Sequence, residues 1–421
     1  MKKIALQFLP LSMLLMSFSN AFGQRCLTSH VRDANIADNP AILERVKAIE
    51  KSTQKWIREQ YQPNAKLAPV TIPVVVHVLW RLPDENISDE QIQSQIDVLN
   101  EDFRKLNGNL SSTPAAFLGL AADVELEFCL ATTDPNGNPT NGITRTQTDV
   151  DDIGMTQDYF DEYYGGKSAW DISRYVNIWV CDIGDDGTLG FATPPGTADP
   201  AESDGLVIGH QFFGTTGTAA NSSPNHLGRT TTHEMGHYFN LEHLWGPGDG
   251  GCNEDDFVDD TPLQFTESNG CPTFPLTDQC TASGDGILYV NYMDYTDDDC
   301  MTIFTEGQKA RMLAALNGPR SSLLDSPACT PATAVTEQGR PSFEISPNPA
   351  SGELNIVLKN NKLRLVALEL LNGNGKVVRR QAADQATKTT MPLDQVPAGF
   401  YFLKLIGQSG TLTKKVCVVK N

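Results

Sequence analysis

The stretch His233–His243 reads HEMGHYFNLEH and holds three of the chain's seven histidines. On a helix the first two histidines are four positions apart and lie on one face, where both rings can bind the same metal ion. Three imidazoles suit Zn2+ and leave the fourth tetrahedral position for water. The stretch therefore predicts a zinc site formed by His233, His237 and His243.

The third histidine reaches the metal only if the chain turns sharply after His237. We expect the turn at Asn240, because asparagine accepts the left-handed backbone conformation better than other non-glycine residues.

Glu234 follows a predicted ligand without being one. We expect it to act as the general base that takes a proton from the attacking water and passes it to the leaving amine.

Two alternatives start from the same residues. A gluzincin-type site would use a more distant glutamate as third ligand, and Glu242 or Glu254 could be proposed, but the spacing of His243 favours three imidazoles. A secreted adhesion or matrix-binding protein could keep a metal-bound fold without turnover; Glu234 argues against it, since such a protein needs no base. We expect the four other histidines to be surface or packed residues: His30, His77, His210 and His226.

Length and charge limit the classes of protein that fit. With 421 residues the chain is long enough for two or three units. Its 32 Lys and Arg against 52 Asp and Glu give a net charge of -20, which argues against a nucleic-acid or anionic-lipid surface. A cationic substrate or bound calcium fits better.

The first residues have the layout of a secretory signal peptide, which we place at residues 1–23. Lys2 and Lys3 precede an apolar run over residues 4–18, and small residues follow at Ala21 and Gly23. No later stretch is long and apolar enough to span a bilayer. We therefore expect an exported protein.

Nine cysteines in an oxidising compartment predict disulfides for most of them, and the odd number leaves at least one unpaired. Cys26 is the candidate for that one. Cys129 and Cys181 fall in neighbouring predicted strands and could be bonded to each other or be buried thiols. Cys329 and Cys417 remain unassigned at this point.

Apolar spacing predicts an α+β arrangement between residues 59 and 325. A cap at Ser88 with Gln91 three residues later starts a helix to about Leu106. The other predicted helices are residues 41–59, 229–241 and 305–316; the predicted strands are 70–80, 124–130, 175–183, 190–192 and 205–208.

The end of the chain differs in composition. Residues 326–341 are rich in Pro, Thr, Ala and Gln without periodicity, which is typical of a linker. Short alternating strands separated by turns follow in residues 342–421 and predict a small all-β sandwich.

The histidine motif resembles that of the metzincin metallopeptidases, whose consensus has glycine where Asn240 stands. Residues 291–295, NYMDY, resemble the metzincin Met-turn, with Met293 as an apolar floor beneath the metal and Tyr295 as the residue that stabilises the tetrahedral oxyanion. The resemblance implies a zincin-like catalytic domain: a twisted mixed sheet with a backing helix and the zinc helix, above an irregular lower subdomain. An edge strand around residues 190–192 would hold the substrate backbone.

Within the metzincins the chain is most similar to the pappalysin and cytophagalysin family, over about residues 69–323. The likeness rests on HLWG at 243–246, Gly-Cys at 251–252 and Asp-Thr-Pro at 260–262. The resemblance implies structural calcium at Asp256, Asp259 and Thr261. Where the four cysteines alone allow three pairings, it implies two disulfides: Cys252–Cys280 and Cys271–Cys300.

The same resemblance implies a substrate preference and a latent form. Asp298 matches the acid at the base of the S1' pocket, which implies cleavage before Arg or Lys, although Asp297 and Asp299 flank it. Cys26 resembles the cysteine switch of family zymogens, in which a thiolate takes the fourth zinc position. Residues 24–58 would then be a pro-segment, removed by self-cleavage before Arg58; an ordinary disulfide is the alternative for Cys26.

The final unit resembles the sorting domains of the type IX secretion system through residues 345–349, 398–401 and 415–420. It implies secretion machinery as a partner and a secreted protein, or one attached to the outer membrane surface. A sandwich that binds substrate or carbohydrate is the alternative. The other expected partners are protein or peptide substrates, and we expect a monomer.

Overall fold

The computed structural model describes residues 25–63, 68–156, 158–248, 250–330, 343–358, 365–372, 376–383, 387–407 and 410–420. The predicted signal peptide, residues 1–23, lies outside these ranges. The chain divides into two compact units, Met1–Thr333 and Ala334–Asn421.

The first unit is built on a six-stranded mixed sheet in the order β2-β1-β4-β6-β5. β1 is long enough to pair with β2 through residues 70–74 and with β3 through residues 76–80. All pairings are parallel except that of β5 with β6. The strands are β1 Val70–Trp80, β2 Leu126–Leu130, β3 Ile143–Gln147, β4 Val176–Cys181, β5 Gly190–Ala192 and β6 Leu206–Gly209.

Five α-helices accompany this sheet in the described part of the first unit. α3 begins at the predicted cap, where the Ser88 hydroxyl accepts a hydrogen bond of 3.2 Å from the Gln91 amide. The apolar residues of α3 pack in the same core as the even-numbered residues of β1 and the apolar residues of α4. The helices are α1 Thr28–Asp38, α2 Ala41–Gln60, α3 Asp89–Phe103, α4 Arg229–Tyr238 and α5 Glu306–Leu316.

Several elements differ from the sequence-based expectation. α1 is not predicted, because its buried residues are polar and leave no apolar period. β3 is not predicted either, since four of its five residues are polar and none is fully buried. α2 runs to Gln60, so the pro-segment boundary expected at residue 58 falls inside a helix.

The first residues assigned to the linker belong to the first unit. Cys329 forms a disulfide with Cys129 of β2, across 200 residues. Ala328 is fully buried, and its carbonyl accepts a hydrogen bond of 2.7 Å from the Thr132 amide. A linker can therefore begin only after residue 330, and residues 331–341 lie outside the described ranges.

The lower part of the first unit, from about residue 246 to residue 300, contains little regular structure and is crosslinked. The structure contains the Cys252–Cys280 and Cys271–Cys300 disulfides, the pairing that the resemblance implies. Among the described residues Cys26, Cys181 and Cys417 are unpaired, so Cys129 is bonded to Cys329 and not to Cys181.

The second unit is all-β, as predicted. Two antiparallel sheets, β10-β9-β12-β13 and β11-β8-β7, enclose one apolar core. Their strands are β7 Phe343–Ser346, β8 Glu353–Leu358, β9 Leu365–Leu371, β10 Val377–Ala382, β11 Lys388–Pro392, β12 Gly399–Gly407 and β13 Gly410–Val418. Among the described helices of both units, none has the length and apolar character needed to cross a membrane.

Candidate active site

The three predicted metal ligands converge on one point. The Nε2 atoms of His233, His237 and His243 lie 3.1 to 3.2 Å from one another. Tetrahedral coordination at zinc–nitrogen distances of about 2.0–2.1 Å separates neighbouring ligand nitrogens by roughly 3.3 Å. The three rings therefore fit a zinc-sized ion.

Backbone carbonyls fix the ring tautomers. Nδ1 of His233 lies 2.7 Å from the Tyr292 carbonyl, and Nδ1 of His237 lies 2.8 Å from the Leu241 carbonyl. Because a carbonyl only accepts, each Nδ1 carries the proton and each Nε2 offers a lone pair to the metal. Burial lowers the pKa of His233 to about 4 and holds those of His237 and His243 well below the usual value, so the rings are neutral.

Asn240 makes the turn that brings His243 to the other two rings. α4 ends at Tyr238, and Asn240 has a φ of 74°, the left-handed conformation expected from the sequence. The Leu241 amide then donates to the Gly236 carbonyl at 3.0 Å, which closes the helix end. The glutamates considered as alternative ligands are not in the metal-ligating group; Glu242 bonds Arg32 instead.

The Met-turn lies directly against α4. A Cβ atom on Gly236 would approach the sulfur of Met293 to 2.5 Å, so only glycine lets the helix sit this close to the methionine. The turn is held by buried Asp294, which accepts hydrogen bonds from the Ser268 and Tyr295 amides at 2.7 and 2.8 Å. Met293 therefore packs directly against α4 at Gly236.

The Tyr295 hydroxyl lies at the edge of the histidine cluster. Its oxygen is 3.2 Å from Nε2 of His243 and donates to the Cys26 carbonyl at 3.4 Å. Burial, and then the nearby Cys26 and Glu234, raise the pKa of Tyr295 well above its usual value. The phenol is thus neutral, and its oxygen lies beside the ligand nitrogen of His243.

Cys26 and Thr28 occupy the space in front of the general-base candidate. The Cys26 sulfur belongs to the group of ligand atoms formed with the three histidines, all within 4.8 Å of one another. It lies 3.4 Å from a carboxylate oxygen of Glu234, to which the Thr28 hydroxyl also donates at 2.8 Å. Burial raises the pKa of Glu234 to about 8, against the effect of these two hydrogen bonds.

The protonation state of Cys26 depends on the metal. Burial and then the charge of Glu234 raise the pKa of its thiol well above the usual value. A bound divalent cation acts in the opposite direction and deprotonates a coordinating thiol. Cys26 would therefore be a thiolate only when the site holds a metal ion.

The N-terminal segment lies along β5, the edge strand expected to hold substrate. The Leu189 amide donates to the Arg25 carbonyl at 2.8 Å, and the Leu27 amide donates to the Gly190 carbonyl at 3.1 Å. The Ala192 amide donates to the Thr28 hydroxyl at 2.8 Å. The edge of the sheet is thus occupied by the chain itself.

A small cavity beside the histidines is lined by Asp298, together with Arg25 and Met301. Asp298 is 2% exposed, and its Oδ2 accepts a 2.7 Å hydrogen bond from the Leu227 amide. Burial raises its pKa to about 6. Of the three consecutive acids, Asp298 alone lines the cavity; Asp297 pairs with Arg25, and Asp299 is exposed.

Two of the three predicted calcium ligands are adjacent. The Thr261 hydroxyl lies 2.8 and 2.9 Å from the two carboxylate oxygens of buried Asp256. Burial raises the pKa of Asp256 to about 7, against the effect of the hydrogen bonds from Thr261 and the Val258 amide. Asp259 is exposed.

Sequence reasoning missed Asp102, which links three elements behind the site. Its carboxylate accepts hydrogen bonds from Arg229 at 2.9 Å, from the Thr232 hydroxyl at 2.7 Å and from the Tyr292 hydroxyl at 3.0 Å. The available signal was an acid on the apolar face of a predicted helix, beside Phe103. Asp102 therefore fixes α4 and the Met-turn relative to α3.

Comparison with known proteins gives consistent results. The family described as "Pregnancy-associated plasma protein-A", a peptidase family, matches residues 162–317, and the secretion system C-terminal sorting domain matches residues 344–419. An extracellular metalloprotease of Arthroderma gypseum is 34% identical over 250 residues, covering 58% of this chain and 71% of that protein.

Two solved structures from Tannerella forsythia have the same fold. Mature mirolysin in complex with a cleaved peptide is 46% identical with a TM-score of 0.60, covering 62% of this chain and 97% of that chain. A promirolysin mutant is 41% identical with a TM-score of 0.65, covering 72% and 97%. The expected metzincin fold, followed by an all-β unit, is thereby confirmed, and the chain belongs to the pappalysin family of metallopeptidases, as a secreted metalloendopeptidase with a type IX sorting domain.

Proposed function

We propose that this metalloendopeptidase uses zinc held by His233, His237 and His243, with Glu234 as general base. The observation that carries the proposal is the convergence of three Nε2 atoms, 3.1 to 3.2 Å apart, beside a buried carboxylate. When bound, zinc lowers the pKa of a water molecule to about 7 and supplies a nucleophile at neutral pH.

The protein's own residues then handle the proton and the developing charge. Glu234, buried beside the histidines, accepts the proton of the attacking water and returns it to the leaving amine. The neutral Tyr295 hydroxyl donates to the oxygen of the former carbonyl as it becomes negative. β5 binds the substrate backbone once the N-terminal segment has left it.

We further propose that the enzyme cleaves before Arg, or before Lys, through Asp298. This acid is buried in the cavity beside the histidines, where a guanidinium would form a charge-assisted and bidentate contact. Lysine would make a weaker, single-point contact with the same carboxylate.

The position of Cys26 supports latency as a zymogen. Its sulfur shares the histidine cluster, and Thr28 bonds Glu234, so the segment covers both the metal ligands and the base. We propose that residues 24–58 are the pro-segment and that self-cleavage before Arg58 starts their removal. Arg58 is exposed in the last turn of α2, where helix ends fray and a protease can extend the chain.

Two accessory roles complete the proposal. Asp256, Asp259 and Thr261 would hold structural calcium, because hard oxygen donors suit that ion. The sorting domain brings the protein to the secretion machinery, after which the unit would be removed or would attach the enzyme, a monomer, to the outer membrane surface.

The test is cut-site mapping by mass spectrometry on a mixed peptide library with the processed protein. We expect cuts before Arg that vanish with a chelator and in Glu234→Ala, and that lose their Arg preference in Asp298→Asn. Processed, zinc-loaded protein that cuts before other residues would refute the Asp298 pocket, and full activity in Glu234→Ala would refute the base.

A further inference from the structure

α1 docks on the first unit through a polar face. Its buried residues, Thr28, Arg32 and Asn35, are spaced so that they share one side of the helix. Thr28 donates to Glu234 at 2.8 Å, and the Asn35 amide donates to the Thr197 carbonyl at 3.1 Å. Between them, Arg32 reaches a carboxylate that the catalytic mechanism does not use.

That carboxylate belongs to Glu242, between the second and third histidine ligands. Nη1 of Arg32 lies 3.3 and 3.2 Å from the two oxygens of Glu242, and its Nη2 donates to the Pro247 carbonyl at 2.7 Å. The Arg32 side chain is only 9% exposed and that of Glu242 is 18% exposed. A carboxylate and a carbonyl thus form a desolvated site shaped for a guanidinium.

The N-terminal segment shows where this site lies relative to the metal centre. Arg25 bonds the Tyr295 carbonyl at 2.7 Å next to Asp297, Cys26 lies at the histidines, and Arg32 follows at Glu242. Along this segment, the Asp297 side and the Glu242 side therefore flank the metal centre. The cavity with Asp298 is on the Asp297 side, since Arg25 lines it.

We propose that Glu242 and the Pro247 carbonyl form a second subsite for a basic residue of the substrate, which Arg32 fills in the zymogen. The inference rests on the proposed cleavage before Arg, because Asp298 then takes the residue after the scissile bond and Glu242 one before it. The preferred substrate is a peptide with basic residues on both sides of the bond. Release of the pro-segment removes Arg32 and opens the site.

The length of the segment predicts the position of the second basic residue. From Cys26 to Arg32 the chain has one extended step, then Leu27 with a φ of -96° and a ψ of 6°, then helix, which together span about 11 Å. An extended peptide covers that distance in three to four residues at roughly 3.3 Å each. We therefore expect the basic residue three to five positions before the scissile bond.

One rearrangement would close the subsite. Arg311 is the candidate for this, because its Nε donates at 3.2 Å to the carbonyl of Asn240, two residues before Glu242. Arg311 now bonds Glu50 of α2 at 2.9 Å and loses this partner with the pro-segment. If Arg311 then neutralised Glu242, a substrate cation would gain nothing there.

The experiment is a positional scan with the processed, zinc-loaded enzyme. Peptides with one Arg after the scissile bond carry a second Arg, or Ala, at each of positions two to six before it. We expect kcat/KM to rise about 10-fold for Arg over Ala at positions three to five, the factor expected for one charge-assisted hydrogen bond. A ratio near 1 at every position would overturn the proposal and indicate the Arg311 pairing.

Variants assign the effect to Glu242. In Glu242→Gln the Arg/Ala ratio should fall to about 1, whereas Glu202→Gln, which removes an exposed carboxylate, should keep it. An unchanged ratio in Glu242→Gln would refute the assignment. The scan itself uses the unmodified sequence, so it decides the question even if substitution of Glu242 prevents folding, which metal content and the unfolding midpoint would report.

Failure of the proposed function would look different. Asp298→Asn should lose the preference for Arg after the bond and retain the preference for Arg three to five positions before it. An unmodified enzyme that does not cut before Arg would refute the Asp298 pocket. That conclusion would hold whatever preference the scan shows for residues before the scissile bond.

Discussion

α1 and α3 both pack on the first unit, but through opposite chemistry. α3 buries Ile92, Ile96 and Leu99 in the main core, whereas α1 buries Thr28, Arg32 and Asn35 and adds no apolar side chain to that core. Burial of apolar area stabilises a helix that must stay. Under the proposed removal of residues 24–58, polar contacts suit a helix of this kind, because water can replace each of them after cleavage.

The largest effect should come from the apolar helix. Leu99→Ala should lower the free energy of unfolding by about 2–5 kcal/mol, since Leu99 is fully buried and truncation leaves a cavity. Denaturant unfolding measures this, with Leu106→Ala, which is 69% exposed, as the control. A loss below that of the control would contradict the role assigned to α3.

The next largest effect should come from the contact at the metal centre. In the uncleaved protein, Cys26→Ala should raise the initial rate on an Arg peptide on the order of 100-fold, the factor that one linked contact can contribute. Cys181→Ala removes another buried, unpaired thiol, on β4, and should leave the zymogen silent. A silent Cys26→Ala zymogen would show that α1 and α2 suffice for latency.

The substitution Arg32→Ala tests how much one polar contact of α1 contributes to holding the segment. Removing the guanidinium leaves Glu242 uncompensated, and we expect self-activation about 10-fold faster, as for loss of one hydrogen bond to a charged group. Time courses of pro-segment cleavage measure it, with exposed Lys47→Ala on α2 as the matched control. Equal rates for both variants would mean that Arg32 does not hold the segment.

The smallest effect should be a change of substrate preference with pH, caused by Asp298. Burial raises the pKa of Asp298 to about 6, so its carboxylate is charged above that pH and neutral below it. The preference for Arg over Gln after the scissile bond should therefore weaken several-fold as the pH falls from about 7 to 5. The ratio of kcat/KM values measures it, and Asp298→Asn should remove the pH dependence.

Spacing accounts for what could be predicted from the sequence. Helix geometry places two histidines four positions apart on one face, with a glutamate beside the first. The third histidine follows a residue that we expect to be left-handed, and Asn240 has that conformation. α3 was predictable because its apolar residues repeat with the helical period, and β1 because a continuous apolar run is typical of a buried strand.

The rest depends on contacts between distant residues. α1 has no apolar period, and the partner of Thr28, Glu234, is 206 positions away. The Asp102 network joins residues 127 to 190 positions apart, which no local pattern encodes. The pairing of Cys129 with Cys329 likewise needs the fold, because the sequence suggested only Cys181 as a partner for Cys129 and left Cys329 unassigned.

The Cys129–Cys329 disulfide has a mechanical consequence. It joins the end of the first unit to β2, whose neighbour β1 lies inside the sheet. Any tension applied to the chain beyond residue 330 would pass through the sulfur–sulfur bond into the sheet and bypass α5. The zinc helix and the Met-turn are therefore shielded from tension for as long as that bond stays oxidised.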